Sequence, residues 1–301
     1  MSILGSTMLD IGIFKSVPPD VYHNDPCPQP SLSCSIAKVL LNQSPAHAWA
    51  AHPRMNPLYR HDDSTRTDLG TVAHDVLLQG GTDNVVVLDP AEFPSKTGSI
   101  PDGYTNANIR KARDNVRALG KIPILKPVHD QVMGMVAVAR NFVQGSDLDG
   151  CFGADWDAET TVIWQANGCY MRSRLDRYSS SARIIMDYKT TGNANPDYLT
   201  RRVILDGGYD VQAAFYRRAI DFHVGELPIF LFLFQEIEPP YLCSIVGLEP
   251  ALQELGEMKV DHATALWAAN MKSGQWPGYS KRTHWAIAPA WALAQLEAGR
   301  V

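Results

Sequence analysis

No run of about 18 or more apolar residues occurs in this chain, and its most apolar stretch, Leu227 to Phe234, is only as long as a strand. That excludes a membrane-spanning helix. The N-terminus lacks a basic start followed by an apolar block and a small-residue cleavage site, so no signal peptide is expected. Cysteine is scarce. Cys27, Cys34, Cys151, Cys169 and Cys243 are odd in number, scattered and without a CxxC pair, which argues against a disulfide scaffold and for a reducing cytoplasm. Their spacing also gives no zinc or iron–sulfur pattern. No HExxH or clustered-histidine motif is present, no internal repeat and no low-complexity segment. Basic charge is not in excess: 27 Lys and Arg stand against 32 Asp and Glu, a net charge of -5. A globally basic nucleic-acid-coating protein is excluded, but a local basic groove is not.

What is there suffices for one large domain or two small ones: 301 residues, 45% hydrophobic and 20% charged, enough to bury a substantial core. Residues 1–30 are rich in Pro and Asp and read as an irregular arm, with a single domain over 31–301. Ser33 is placed to cap a helix over Cys34 to Gln43, and Pro45 ends it or begins the next element. After a polar stretch around Arg60 to Thr67, helices are expected at Leu69 to Leu78, Asn108 to Leu119 and His129 to Val143. A short apolar run at Val85 to Leu88 and a loop over 91–107 lie between the first two. The pattern then changes to three successive strands, Thr160 to Gln165, Cys169 to Tyr178 and Ala182 to Thr190, separated by turn residues. A helix over Tyr209 to Phe222, strands at Ile229 to Glu236 and Leu242 to Val246, and a helix over Ala251 to Ser273 follow. This order predicts an α/β (α+β) fold with a mixed central sheet flanked by helices.

The chemistry concentrates in Arg172-Ser-Arg174-Leu-Asp176-Arg177-Tyr178 and Ile184-Ile-Met-Asp187-Tyr188-Lys189-Thr190. Residues two apart in a strand share a face, so Asp187 and Lys189 point one way and Arg172, Arg174 and Asp176 share another face. A tight turn between the strands lets Asp176 and Asp187 converge. Two carboxylates beside an ammonium suit a hard divalent cation such as Mg²⁺, which prefers oxygen ligands and combines readily with phosphate. The lysine then orients or deprotonates a water and stabilises a pentacovalent phosphorus. An Asp-x-Lys pair by itself is also common on exposed hairpins.

This arrangement, an Asp about ten residues before an (Asp/Glu)-x-Lys, resembles the PD-(D/E)XK nuclease superfamily. The wider sequence resembles its RecE-like branch, the exodeoxyribonuclease VIII-type proteins of phages and prophages. Gly70-Thr-Val-Ala-His74 resembles the branch's GxxxH motif, Gln212-Ala-Ala-Phe-Tyr216 its QxxxY motif, and Leu32-Ser33 through Ser44-Pro45 its N-terminal helix motif. Phe234-Gln235-Glu236 and Trp276-Pro277-Gly278-Tyr279 resemble C-terminal elements. The likeness runs from about Leu32 to Trp291, and one departure is Asp187, where several superfamily relatives carry Glu. It implies a restriction-endonuclease-like core and a Mg²⁺ site, with Mn²⁺ as substitute, formed by His74, Asp176, Asp187 and the Tyr188 carbonyl. Lys189 would activate water and Gln212 would support the site. It further implies 5′-to-3′ digestion of linear double-stranded DNA to leave 3′ tails, a ring-like homo-oligomer (trimer or tetramer), a single-strand annealing recombinase as partner, and the cytoplasm of a bacterium or phage-infected host. No iron–sulfur cluster is expected.

Arg172 and Arg174 are the candidate phosphate contacts, since guanidinium forks bind phosphate bidentately. Gln212 and Tyr216 are one helical turn apart, so they either approach the scissile phosphate and the DNA backbone or hydrogen-bond helix to sheet. Glu159 is an outer-sphere acid, an extra metal ligand or, more simply, edge-strand decoration. Lys111, Arg113, Arg201, Arg202, Arg217 and Arg218 extend a basic track or form solvated faces. With a net charge of -5, positive charge is expected in a groove or channel under an acidic exterior. Two alternatives stay open: a nuclease of other polarity or substrate (end-trimming or structure-specific), and a silent DNA-binding recombination module.

Overall fold

A computed structural model of the chain describes residues 8–60, 69–79 and 85–299. The polar stretch around Arg60 to Thr67 falls almost wholly outside them. In chain order the elements begin with β1 (Gly12–Phe14), α1 (Pro19–His23), β2 (Leu32–Ser33), α2 (Cys34–Asn42), α3 (Pro45–Ala50) and α4 (Leu69–Gln79). Next come β3 (Val85–Leu88), α5 (Ala107–Ala118), β4 (Ile122–Leu125) and α6 (Lys126–Phe142). The strands β5 (Asp157–Ala166), β6 (Cys169–Ser179) and β7 (Ile184–Thr191) form the middle of the chain. They are followed by α7 (Pro196–Tyr198), α8 (Tyr209–Val224), β8 (Ile229–Glu236), β9 (Cys243–Gly247), α9 (Pro250–Ser273) and α10 (Ala290–Glu297).

Local chemistry sets several boundaries. Ser33 caps α2 by accepting from the Ile36 N–H, and Ser44 caps α3 by accepting from the His47 N–H. Pro45 therefore opens a new helix, in keeping with its fixed φ and missing N–H. Gly225 ends α8 in the left-handed conformation. The arm expected to be irregular carries two elements: β1 pairs antiparallel with β5, and α1 buries Tyr22. Three residues of extended chain suffice to extend a sheet when the edge is open, which composition does not reveal. β4 was likewise not anticipated; it is only four residues long, and pairs parallel with β3 in a separate two-stranded sheet.

The main sheet has the order β1-β5-β6-β7-β8-β9, with β2 beside β6. β5, β6 and β7 form an antiparallel meander, β8 joins β7 in parallel, and β9 is antiparallel at the far edge. The sheet is thus mixed, as expected. One apolar layer, with Ile36, Leu40, Phe215, Phe232, Phe234 and Trp267, packs α2, α8 and α9 on one face. A second, with Val72, Leu77, Met135, Met186, Tyr188 and Leu233, packs α4 and α6 on the other. Among the described residues no helix is long and apolar enough to cross a membrane.

One detail of the sheet positions everything that follows. On one flank of β6, β2 pairs with Met171 and Arg172, and β7 pairs only with Arg177 to Ser179. The stretch 173–176 between them has no backbone partner on that flank. The next pair in the β6–β7 register is Asp176 opposite Asp187, and there the ladder stops.

Candidate active site

The opened ladder is filled by side chains. The Tyr188 N–H, on the edge of β7 that β6 no longer pairs, donates to Asp176 Oδ2 at 2.8 Å. N–H and C=O of one strand residue leave on the same edge, so the Tyr188 carbonyl faces the same gap. Around it lie two half-shells. In the first, His74 Nε2 is 3.3 Å from Asp176 Oδ2 and its Nδ1 is 3.7 Å from Glu159 Oε1. One ligand atom from each of these three residues lies within 4.8 Å of the others. In the second, Lys189 Nζ forms an ion pair with Asp187 Oδ1, and Gln212 Nε2 donates to Asp187 Oδ2 at 2.6 Å.

His74 reaches the site because α4 lies hard against β7. A Cβ at Gly70 would sit 2.6 Å from Thr190 Oγ1, so only glycine lets the helix approach. One turn later His74 stands over Asp176. Gln212 is buried on α8, and Lys38 on α2 orients it: Lys38 Nζ donates to Gln212 Oε1 at 3.4 Å and to the Gly207 carbonyl at 3.0 Å.

Burial and mutual repulsion set the electrostatics. Burial, then the charge of Asp176, pushes Asp187 up to about 6 although Lys189 opposes this. The same two causes raise Glu159, against Arg174 and His74. Burial also works against Asp176, but His74, Lys189 and the Tyr188 N–H outweigh it and lower its pKa. Burial disfavours charged His74 and Lys189, yet Asp176 raises the first and Asp187 the second. The pocket is short of positive charge and gathers what is near.

The sequence-derived residues separate on inspection. Asp176, Asp187, Lys189, Gln212, His74 and the Tyr188 backbone come together. Arg172 does not join them. It is 4% exposed, donates to the Ser31 carbonyl and hydroxyl and pairs with Asp25 at 3.2 Å, so it ties the N-terminal arm to β6 instead of facing DNA. Arg174 is spent on Glu159 and lies over the Tyr22 ring. Tyr216 rests its ring against Phe230, with burial raising its hydroxyl pKa; this is a packing contact between helix and sheet. Arg217 and Arg218 brace α8 to α9 through Gln253, Glu257 and Asp261. Gln235 accepts from the Tyr188 hydroxyl and donates to the Met135 carbonyl, joining β7, β8 and α6. Trp276 packs on Trp267 in a corner, while Tyr279 is exposed beside His47.

Two residues carry more than the sequence suggested. Glu159 is buried and sits opposite Asp176, between the pairs Ala158↔Arg177 and Thr160↔Leu175. Its φ of 50° is a left-handed conformation unusual outside glycine and costs roughly 1 to 3 kcal/mol. Sequence offered it only as one alternative beside edge decoration; the strand register sets it opposite Asp176. Lys38 has no sequence signal at all, since its partner Gln212 is 174 positions away.

A family model described as the PDDEXK-like domain of unknown function (DUF3799) matches residues 33–288. The chain belongs to this family. The DUF3799 assignment bears out the expected PD-(D/E)XK superfamily and its mixed sheet flanked by helices. Among solved structures, a candidate exonuclease from Eubacterium rectale is similar at 13% identity and a TM-score of 0.56, covering 95% of this chain and all 100% of that one. Identity this low speaks for the fold alone. The SSO0001 structure is similar over 65% of this chain and 85% of that one, at 10% identity, but its TM-score of 0.27 carries no argument. No curated protein matches the chain. Membership of DUF3799 and the clustered carboxylates, histidine and lysine together support a nuclease.

Proposed function

We propose that this protein is a divalent-metal-dependent DNA exonuclease of the RecE-like type, with His74, Glu159, Asp176, Asp187 and the Tyr188 carbonyl as the metal-holding set. The donor chemistry fits a hard cation. Three buried carboxylates converge, and Glu159 Oε1 is buried without a hydrogen-bond partner among the described residues, a state that costs about 1 to 3 kcal/mol unless a cation answers it. When bound, Mg²⁺ or Mn²⁺ supplies Lewis-acid stabilisation of charge building on the phosphoryl oxygens.

The chain's own groups do the rest. Lys189, held charged by Asp187, orients a water for in-line attack and stabilises developing negative charge. Gln212 fixes the Asp187 carboxylate, and Lys38 fixes Gln212. Arg174 aims Glu159. The observation that carries the proposal is the convergence of acids, histidine and lysine where the β6–β7 ladder opens. By resemblance the substrate is linear double-stranded DNA, digested 5′-to-3′ to leave 3′ tails for an annealing recombinase, in the cytoplasm and by a homo-oligomer. Residues 31–301 act as one domain.

The test uses linear duplex labelled at either end, incubated with Mg²⁺, Mn²⁺, Ca²⁺ or EDTA. Release of the 5′ label in Mg²⁺ or Mn²⁺, absent in Ca²⁺ or EDTA and lost in Asp187→Ala and Lys189→Ala, is the expected outcome. Equal survival of the DNA with wild type and both variants overturns the nuclease. Release from the 3′ end alone keeps the nuclease and overturns the polarity.

A further inference from the structure

The cations expected to face DNA are consumed inside the protein: Arg172 by Asp25, Arg174 by Glu159 and Lys189 by Asp187. Free positive charge is found elsewhere. Residues 107–121, which are α5 and the turn after it, hold Arg110, Lys111, Arg113, Arg117 and Lys121 against one acid, Asp114. That net of +4 leaves -9 on the remaining residues, since the whole chain is -5.

Ile109 and Val116 bury the inner face of α5. Arg110, Lys111, Arg117 and Lys121 are exposed. Among the described residues none of these four has a carboxylate within 4.0 Å, whereas Arg113 pairs with Asp114 and Lys126 on α6 has its own i,i+4 acid, Asp130. A helix that needed only to be solvated would alternate the sign of its charges. Like charges recur at i,i+3 and i,i+4 (Arg110–Arg113, Arg113–Arg117), and Asp114, i,i+4 from Arg110 and i,i+3 from Lys111 and Arg117, is one acid against five cations, so a like-charge repulsion remains. An anionic partner would offset that repulsion.

The dimensions suit a duplex backbone. Arg110 and Arg117 lie on one face, about 10 Å apart along the helix, the length of roughly three base-pair steps. α5 packs on β3 and β4, whose residues share an apolar cluster with α4 and α6. It is therefore the outermost element of the layer that carries His74. Through α4 on α6, α6 on β3 and β4, and these on α5, three packing steps of about 10 Å place it within about 30 Å of His74, roughly nine base pairs along a duplex.

We propose that the outer face of α5 is an accessory docking surface for the sugar–phosphate backbone of duplex DNA, gripping it away from the site of cleavage. The proposal rests on the nuclease reading, but the two fail separately. The quadruple variant Arg110→Gln, Lys111→Gln, Arg117→Gln, Lys121→Gln removes exposed side chains and one hydrogen bond, from Arg110 to the Thr105 carbonyl at 2.8 Å, so its thermal midpoint should stay close to wild type. On a long duplex its KM should rise at least about tenfold with kcat within about twofold, and the slope of log KM against log salt should fall by about three to four. As the duplex is shortened, the KM difference between wild type and variant should vanish once the DNA no longer reaches from the catalytic gap to α5. An unchanged KM and salt slope on long DNA, or a fall in kcat alone, overturns the proposal. If wild type cleaves nothing, binding of the same duplexes in EDTA by fluorescence anisotropy decides: weaker, less salt-dependent binding by the variant supports the α5 surface even as the nuclease reading falls, and equal affinity overturns it.

Discussion

Asp25 and Asp187 are both buried aspartates beside a cation, and they are built for opposite ends. Asp25 is saturated. It accepts from the Ser31 N–H at 2.9 Å and the Ser31 hydroxyl at 2.7 Å, and is flanked by His52 at 3.3 Å and Arg172 at 3.2 Å. His52 Nδ1 accepts from the Arg54 N–H, so its Nε2 is the donor; it donates to the Ser31 carbonyl at 3.0 Å with the Asp25 carboxylate beside it. Burial opposes the Asp25 carboxylate, yet the His52 hydrogen bond, Arg172 and Ser31 hold it down to about 2. Asp187 has one lysine and one amide, and faces the repelling charge of Asp176, so it is pushed up to about 6. A carboxylate meant for structure is given every donor it can use. One meant to meet a cation or a phosphate is left in deficit, with neighbours of its own sign.

That contrast can be broken. The largest expected effect is on chemistry: Asp187→Asn should cut DNA cleavage at least a thousandfold, roughly 4 kcal/mol, while its thermal midpoint stays level or rises because repulsion is relieved. A marked loss of stability would erase the distinction between the two aspartates. Next in size, Asp25→Asn should lower stability in urea unfolding by about 3 kcal/mol, since it strands buried Arg172, and leave metal affinity of the folded protein intact. Loss of metal binding in that variant would show the clusters to be one unit.

Acid sharpens the comparison from the other side. The Asp25 pKa is depressed, so its contribution, about 2 kcal/mol, is present above the unfolded value near pH 4 and fades as pH falls toward 2. Wild type should therefore lose stability across that window faster than Asp25→Asn; parallel curves would refute the saturated picture. Smallest, Glu159→Gln should weaken Mn²⁺ binding by calorimetry about tenfold, roughly 1.4 kcal/mol. Unchanged affinity would remove Glu159 from the metal-holding set.

The legible parts of this protein were those governed by short-range periodicity. Asp187 and Lys189, two apart on β7, and Gly70 and His74, one turn apart on α4, are patterns that one strand or one helix imposes. The meander of β5, β6 and β7 announced itself through turns at Asn167-Gly168 and Ser179 to Ser181. Illegible were the partners. Arg172 and Arg174 look alike in sequence, yet one is tied to Asp25 from the N-terminal arm and the other to Glu159 from β5. β1, three residues long, had no signal of its own because an edge strand needs only an open edge.

By itself the sequence determined which groups exist and how they alternate along each element: two aspartates, a lysine, a histidine and a glutamine at spacings that point to phosphodiester chemistry. Tertiary structure alone decided which charges are free to use. Charge belongs to a residue, but its neutralisation belongs to a pair, and the pairs here join positions as distant as Asp25 and Arg172 or Lys38 and Gln212. The fold thus turned the expected arginine lining into internal struts, gathered three carboxylates around His74 and Lys189, and kept the cations of α5 on the surface.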